Sequence, residues 1–169
     1  MNLFRVTILP ILFTLVSINC ICQTNENSTL EFFDLNSFQN DTLYIRSRFI
    51  ECGEWGGHIE LSRIYIQGKD FYINYEKFSA DCNTIKLNNG EPRQILVSTQ
   101  SKKLLEKHKK LIIQYFHQLL NAKLREANPF HFGYTFEIKN TDRSIQIFVY
   151  TLAGQAKEEY TSFINQVFQ

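Results

Sequence analysis

The sequence predicts an α+β fold, in which an antiparallel sheet of about five to six strands carries one long amphipathic helix and a C-terminal helix on one face. Three observations lead to this prediction. Runs rich in β-branched and aromatic residues occupy 42–99, apolar residues recur at every third or fourth position from residue 101, and both patterns return before residue 169. The predicted order βββ(β)αββα joins neighbouring strands by short connections, which is typical of an antiparallel sheet.

Three strands are predicted at 42–51, 58–67 and 70–79, because each run is rich in β-branched and aromatic residues. The short break GKD at 68–70 suits a tight hairpin, since glycine and aspartate tolerate turn geometry. A weaker strand follows at 93–99, after the turn-forming sequence NNGEP. These elements predict a meander of adjacent antiparallel strands.

A long amphipathic helix is expected from Ser101 to about Ala127, where Asn128 and Pro129 end it. Its apolar face comprises Leu104, Leu105, His108, Leu111, Ile112, Tyr115, Phe116, Leu119 and Leu120. Because His108 belongs to this face, we interpret it as a core residue rather than a ligand. The first turns are also expected to contain Lys102, Lys103, Lys107, Lys109 and Lys110. We interpret these lysines as a solvated face, with contact to an acidic glycan or a lipid headgroup as the alternative.

A second hairpin and a closing helix are predicted after the long helix. The runs at 134–139 and 144–151 are interpreted as two strands around the turn sequence NTDR. The segment at 156–168 is predicted to be helical. Its buried side is expected to consist of Tyr160, Phe163, Ile164 and Val167.

Residues 1–22 have the composition of a secretory signal peptide, in which Arg5 precedes an apolar run and polar residues follow it. A membrane-spanning helix needs about 20 mostly apolar residues, and this run is shorter and interrupted by Pro10. With cleavage before Gln23, the chain resembles exported bacterial proteins. A lipoprotein anchored at Cys20 is the alternative. We therefore expect the protein in the periplasm or outside the cell, with no membrane span after cleavage.

Cleavage would leave a partly disordered N-terminal segment at 23–41 and a single domain at 42–169. It would remove Arg5 and no acidic residue, so the formal net charge would fall from +1 to 0. A chain without net positive charge lacks the electrostatic basis of nucleic-acid binding. No nucleic-acid partner is therefore expected.

Cys52 and Cys82 are the two cysteines that remain after such cleavage, and in an oxidising compartment they are expected to form a disulfide. For a loop of this length, the chain-entropy model assigns about 3.6 kcal/mol to the bond. The alternative is a thiol enzyme with Cys52 as nucleophile and His58 as base, which requires a free thiol.

The segment ECGEWGGHIE at 51–60 is the densest candidate site. Its glycines suit a turn between two strands, and Trp55 can either cover the sheet or face a ligand. His58 and Glu60 stand two apart on a predicted strand, so their side chains point to the same face and can exchange a proton or supply two metal ligands. A solvated ion pair is the simpler interpretation. The candidates for a third ligand are Glu51, Glu54 and His131. No metal site is predicted, because the chain has no HExxH or comparable ligand spacing.

The outer face of the predicted sheet is a second candidate, as a binding platform. Its candidate aromatic residues are Tyr44, Tyr72 and Tyr150, and its candidate anion contacts are Arg46, Arg48 and Arg63. Such a surface would serve binding, whereas catalysis would place His58 and Glu60 in a concave pocket with a third polar group in reach.

The sequence therefore predicts a small exported protein that binds a ligand or an envelope partner, neither of which the sequence identifies. The alternative function is that of a small hydrolase or metal-dependent enzyme centred on His58 and Glu60. No cofactor is predicted, and the oligomeric state is left open.

Overall fold

The structure is a computed structural model that describes residue 35 and residues 41–87, 90–125, 133–152 and 154–169. Within these ranges, six strands and two α-helices follow one another along the chain. Their bounds are β1 (Leu43–Arg48), β2 (Ile59–Gln67), β3 (Asp70–Asp81), β4 (Arg93–Lys103), α1 (Glu106–Arg125), β5 (Tyr134–Lys139), β6 (Gln146–Thr151) and α2 (Gly154–Phe168). The order confirms the predicted α+β fold.

The six strands form one sheet in the order β4-β3-β2-β1-β5-β6, and every neighbouring pair is antiparallel. The first four strands make the predicted meander. The chain then passes through α1 to the other side of β1, where β5 and β6 form the second hairpin. Gln67 pairs with Asp70 across the predicted tight turn, in which Gly68 has a φ of 68°. This left-handed conformation is one that glycine adopts without the penalty of a side chain.

Both helices pack on the same face of the sheet. The sheet contributes Leu43, Ile45, Ile64, Phe71, Ile73, Phe136, Ile138, Ile147 and Val149 to the core. The helices contribute Ile112, Tyr115, Phe116, Leu119, Tyr160, Phe163, Ile164 and Val167. Tyr115 of α1 stacks on Phe163 of α2 with ring centroids 4.5 Å apart, and Tyr160 lies 5.7 Å from the ring of Phe136 on β5. The predicted buried side of α2 and the buried position of His108 are both observed.

The start of the long helix was predicted too early. Ser101, Lys102 and Lys103 belong to β4, because the register of the twelve-residue strand β3 continues through Asn74, Ile73 and Tyr72 and pairs with them. The hydrogen bonds of this ladder override the helical periodicity of the local sequence. Two residues of the predicted apolar face, Leu105 and Leu120, are exposed. The predicted end of the helix at 127–129 lies outside the described residues.

Of the N-terminal segment at 23–41, the structure describes Leu35 and Asp41. Leu35 is buried in the hydrophobic core. The Asp41 carboxylate accepts hydrogen bonds from the backbone N–H groups of Thr42, at 2.7 Å, and Thr141, at 3.1 Å, which ties the start of β1 to the turn between β5 and β6. Residues 1–22 lie outside the described residues. In the part of the chain that the structure describes, neither helix has the length and apolar character needed to cross a membrane.

Candidate functional site

The loop between β1 and β2 is fastened by the predicted disulfide. Cys52 bonds to Cys82, and their Cα atoms lie 5.4 Å apart. The bond joins the turn after β1 to the segment that follows β3, so it passes the end of β2, which lies between those two strands in the sheet. Because Cys52 is oxidised, the alternative of a Cys52 nucleophile with His58 as its base lacks the free thiol that it requires.

Three glycines give this loop its shape. Gly53 and Gly56 have φ values of 66° and 87°, in the left-handed region that favours glycine. Gly57 is needed for a different reason, because a Cβ at this position would lie only 2.6 Å from the backbone nitrogen of Glu51 and would overlap its carboxylate. The loop therefore has the glycine-dependent conformation that the sequence predicts, and Gly57 allows the Glu51 side chain to approach His58.

His58 lies between two carboxylates. Its Nδ1 is 2.5 Å from Glu51 Oε1, its Nε2 is 3.3 Å from Glu60 Oε1, and its backbone N–H donates to Glu51 Oε2 at 2.9 Å. The imidazole stacks on the ring of Phe49 with centroids 4.2 Å apart. Ionised carboxylates only accept hydrogen bonds, so both ring contacts are hydrogen bonds when both nitrogens carry a proton. The structure thus brings His58 and Glu60 together and engages both imidazole nitrogens.

Glu60 is buried, with 5% of its surface exposed, on the face of the sheet that the helices cover. Lys77 Nζ on β3 lies 3.2 Å from Glu60 Oε1. Burial raises the pKa of Glu60, but hydrogen bonds from His58, Tyr75 and Lys77 outweigh burial and lower this pKa to about 2. Burial and the hydrogen bond with Glu60 raise the pKa of the Tyr75 hydroxyl. Glu60 is therefore an ionised carboxylate whose partners are side chains of the protein.

This arrangement favours a structural role for the His58–Glu60 pair over acid–base chemistry. A general acid or base needs a pKa near the working pH, and the pKa of Glu60 is far below that pH. Two grooves of about 310 and 330 Å³ lie on the α1–α2 side of the molecule, and neither is lined by His58 or Glu60. In the described ranges, no three His, Cys, Asp or Glu residues are placed to hold a metal ion, and His131 lies outside those ranges.

Trp55, the third residue predicted for this site, lies apart from the pair. It ends the short 3-10 turn Gly53–Trp55 and is 50% exposed. Its Cζ3 is 3.6 Å from the position that a Cβ on Gly90 would occupy, so the ring lies beside the connection between β3 and β4. Arg48 donates from Nη2 to the Trp55 carbonyl at 2.9 Å and holds the turn against β1.

The sequence did not identify three side chains that organise this end of the sheet. Lys77 and Tyr75 reach Glu60 from β3, and Gln94 reaches across from β4. The Gln94 amide accepts from Ile59 N–H at 3.0 Å and donates to the Gly57 carbonyl at 3.0 Å. Only the register of the sheet places these residues together, and their spacing in the chain contains no signal for it.

The side of the sheet away from the helices, here called the open face, carries the second predicted site. It is defined by Tyr44, Arg46, Arg48, Leu61, Arg63, Tyr65, Tyr72, Asn74, Glu76, Glu137, Lys139, Phe148 and Tyr150. Residues paired across strands share a face, and so do residues two apart in a strand. Tyr44 is accordingly flanked by Arg63 on β2 and Lys139 on β5. All six platform residues named from the sequence lie on this face.

Aromatic rings are concentrated in two places on the open face. Tyr65 stacks on Tyr72 with centroids 6.0 Å apart, between β2 and β3. Phe148 and Tyr150 meet edge to face at 4.8 Å on β6. All four side chains are partly exposed. The open face therefore has aromatic surface on both sides of its centre.

The charges of the open face do not all cancel. Arg63 Nη2 pairs with Glu76 at 2.9 Å, and Lys139 Nζ pairs with Glu137 at 2.9 Å. Arg46 lies at the centre of the face on β1, is exposed, and forms no ion pair with another described residue. Its guanidinium therefore offers hydrogen-bond donors to solvent or to a ligand.

Comparison with known proteins adds no functional information. No protein-family model, curated protein or solved structure matches this chain. The function must therefore be inferred from the geometry of the two candidate sites.

Proposed function

We propose that the protein is an exported binding protein whose open face takes an anionic ligand of the acidic saccharide class. The observation that carries this proposal is the exposed guanidinium of Arg46, which forms no ion pair with a described residue, although Glu137 is its cross-strand neighbour. Arg46 lies at the centre of a tyrosine-bearing sheet face that neither described helix covers. A cation without a partner on an aromatic surface is a common element of anion recognition.

The neighbours of Arg46 suit such a ligand. A guanidinium presents two parallel N–H donors that match the two oxygens of a carboxylate. Tyr44 lies two residues away on the same face, at a distance of about 7 Å along the strand, so a sugar ring on Tyr44 can place its carboxylate at Arg46. Arg63 lies beside Tyr44 on β2, but Glu76 pairs with its charge, so Arg46 is the cation that such a ligand would meet.

The alternative, an enzyme centred on His58 and Glu60, has weaker support. Glu60 is buried and ionised, and Lys77 and Tyr75 use its acceptor oxygens. Both ring nitrogens of His58 already contact carboxylates. These contacts hold the disulfide loop on the sheet, and they engage both groups with other side chains of the protein.

We place the binding function outside the cytoplasm, in the periplasm or the extracellular space. The Cys52–Cys82 bond is compatible with export, because disulfides persist in oxidising compartments. Intact mass of the protein secreted by its native cells tests this placement. We expect a chain that starts at Gln23, whereas a lipidated chain that starts at Cys20 would indicate the lipoprotein alternative.

Calorimetric titration with polygalacturonate, a polymer of carboxylated sugars, tests the binding proposal. We expect saturable binding that weakens with added salt, no binding of neutral dextran, and a loss of about tenfold or more in affinity for Arg46→Ala. Arg125→Ala removes an exposed arginine at the end of α1 and serves as the matched control. Absence of binding, or equal affinity of wild type and Arg46→Ala, would contradict the proposal.

A further inference from the structure

β4 lies at the edge of the sheet, and no described strand pairs with its outer side. Among the described residues it pairs with β3 alone, and eight of its eleven residues are exposed while none is buried. Leu104 N–H donates to the Phe71 carbonyl at 2.8 Å, directly after the strand. Because the direction of backbone hydrogen bonds alternates in an antiparallel ladder, Thr99, Ser101 and Lys103 direct their N–H and C=O groups to the outer edge.

The first half of β4 exposes three consecutive apolar side chains. Ile95, Leu96 and Val97 are 49%, 55% and 61% exposed. Lys77 pairs with Ser98 and Phe78 pairs with Leu96, so Val97 is the extra residue of a β-bulge. Exposed apolar residues on an edge strand attract further strands, and native proteins usually cover or charge such edges. Here the edge remains uncovered by described residues.

The charge of β4 is entirely positive. The strand contains Arg93, Lys102 and Lys103 and no acidic residue. Lys103 pairs with Asp70 at 2.7 Å, whereas the exposed Arg93 forms no ion pair with another described residue. An added strand would therefore meet an apolar centre and, at one end, the exposed Arg93, which forms no ion pair with a described residue although Asp81 is its cross-strand neighbour. An acidic terminus beside Arg93 would be attracted, and a basic terminus there would be repelled.

We propose that the outer edge of β4 accepts an extended segment of a partner protein, apolar in its centre and acidic at the end that lies beside Arg93, as a seventh strand of the sheet. The outward backbone groups of Thr99 and Ser101 supply hydrogen bonds, and Leu96 and Val97 supply apolar contact. This site lies on a different part of the molecule from Arg46. The proposal therefore does not depend on a ligand that binds to the open face.

Fluorescence anisotropy with a labelled peptide of sequence DDTVTVTVDD tests this proposal. We expect saturable binding of this peptide. Binding should be weaker by about tenfold or more for KKTVTVTVKK and for a DDTVTVTVDD peptide N-methylated at alternate residues. Leu96→Lys should weaken binding by about tenfold or more. Leu124→Lys, which makes the same change at an exposed position on α1, should bind as the wild type does. Arg46→Ala should also retain peptide binding, which separates this test from that of the open face.

Each remaining outcome would overturn the proposal. Absence of saturable binding at peptide concentrations up to about 1 mM would show that the edge is closed to added strands. Equal binding of the acidic and basic peptides would remove the role of charge, and equal binding of the N-methylated peptide would remove the role of the backbone. The peptide comparisons use the wild-type protein, so they decide the matter even where Leu96→Lys fails to fold.

Discussion

Replacing Glu60 with glutamine should lower the free energy of unfolding at pH 7 by about 2 kcal/mol. The contacts of the Glu60 carboxylate lower its pKa from 4.5 to about 2. At 1.36 kcal/mol per pKa unit, the full difference corresponds to roughly 3 kcal/mol. We discount this figure because the Lys77 side chain is 47% exposed, and solvent screens its charge. Glu60→Gln keeps the size of the side chain, removes its charge and replaces one acceptor oxygen with an NH2 donor.

The pH dependence distinguishes this electrostatic explanation from a packing defect. The folded protein holds Glu60 ionised to lower pH than the unfolded chain does, so the unfolded chain binds more protons between pH 4.5 and 2. The stabilisation is complete above that window and is lost as the pH falls through it. Urea unfolding followed by circular dichroism should therefore show wild type and Glu60→Gln converging as the pH falls from 5 to 2.5.

A matched control lies on the neighbouring strand. Glu76 pairs with Arg63, whose side chain is 43% exposed, so Glu76→Gln should cost less than about 1 kcal/mol at pH 7. A difference between wild type and Glu60→Gln that stays constant from pH 7 to 2.5 would refute the reasoning. So would equal stability of the two proteins at pH 7.

Three further predictions concern the same framework. Replacing Cys52 and Cys82 with alanine should cost about 3.6 kcal/mol in urea unfolding, and a loss under about 1 kcal/mol would contradict the loop-entropy argument. Gly57→Ala should lower the free energy of unfolding by about 2 kcal/mol or more, because the added methyl group would overlap the neighbouring backbone. Gly154→Ala places its methyl group in open space and should leave the free energy of unfolding unchanged in the same assay. Burial and nearby lysine charges lower the pKa of His108. In thermal unfolding, the wild-type protein should therefore lose stability as the pH drops below about 6.5, and His108→Leu should lose less. An equal loss of stability in the two proteins would contradict this.

Local sequence was sufficient for most of the secondary structure. The strands β1 to β3 and the hairpin of β5 and β6 follow from β-branched and aromatic runs, and α2 follows from its apolar spacing. Prediction was wrong at 101–103, where the apolar spacing that begins at Leu104 favoured a helix but β3 is long enough to pair with these residues. The hydrogen bonds of the sheet decide this boundary, and they depend on the residues Tyr72, Ile73 and Asn74 of β3, which are distant in the chain.

The sequence by itself determined the α+β class, the pairing of Cys52 with Cys82, and the shared face of His58 and Glu60. Each of these depends on local periodicity or on counting. Only the tertiary structure decided that Lys77 meets Glu60, that Arg46 forms no ion pair in the described ranges, and that no described strand pairs with the outer edge of β4. The physical reason is that strand register sets which distant side chains meet, and register results from the packing of the whole sheet against its helices.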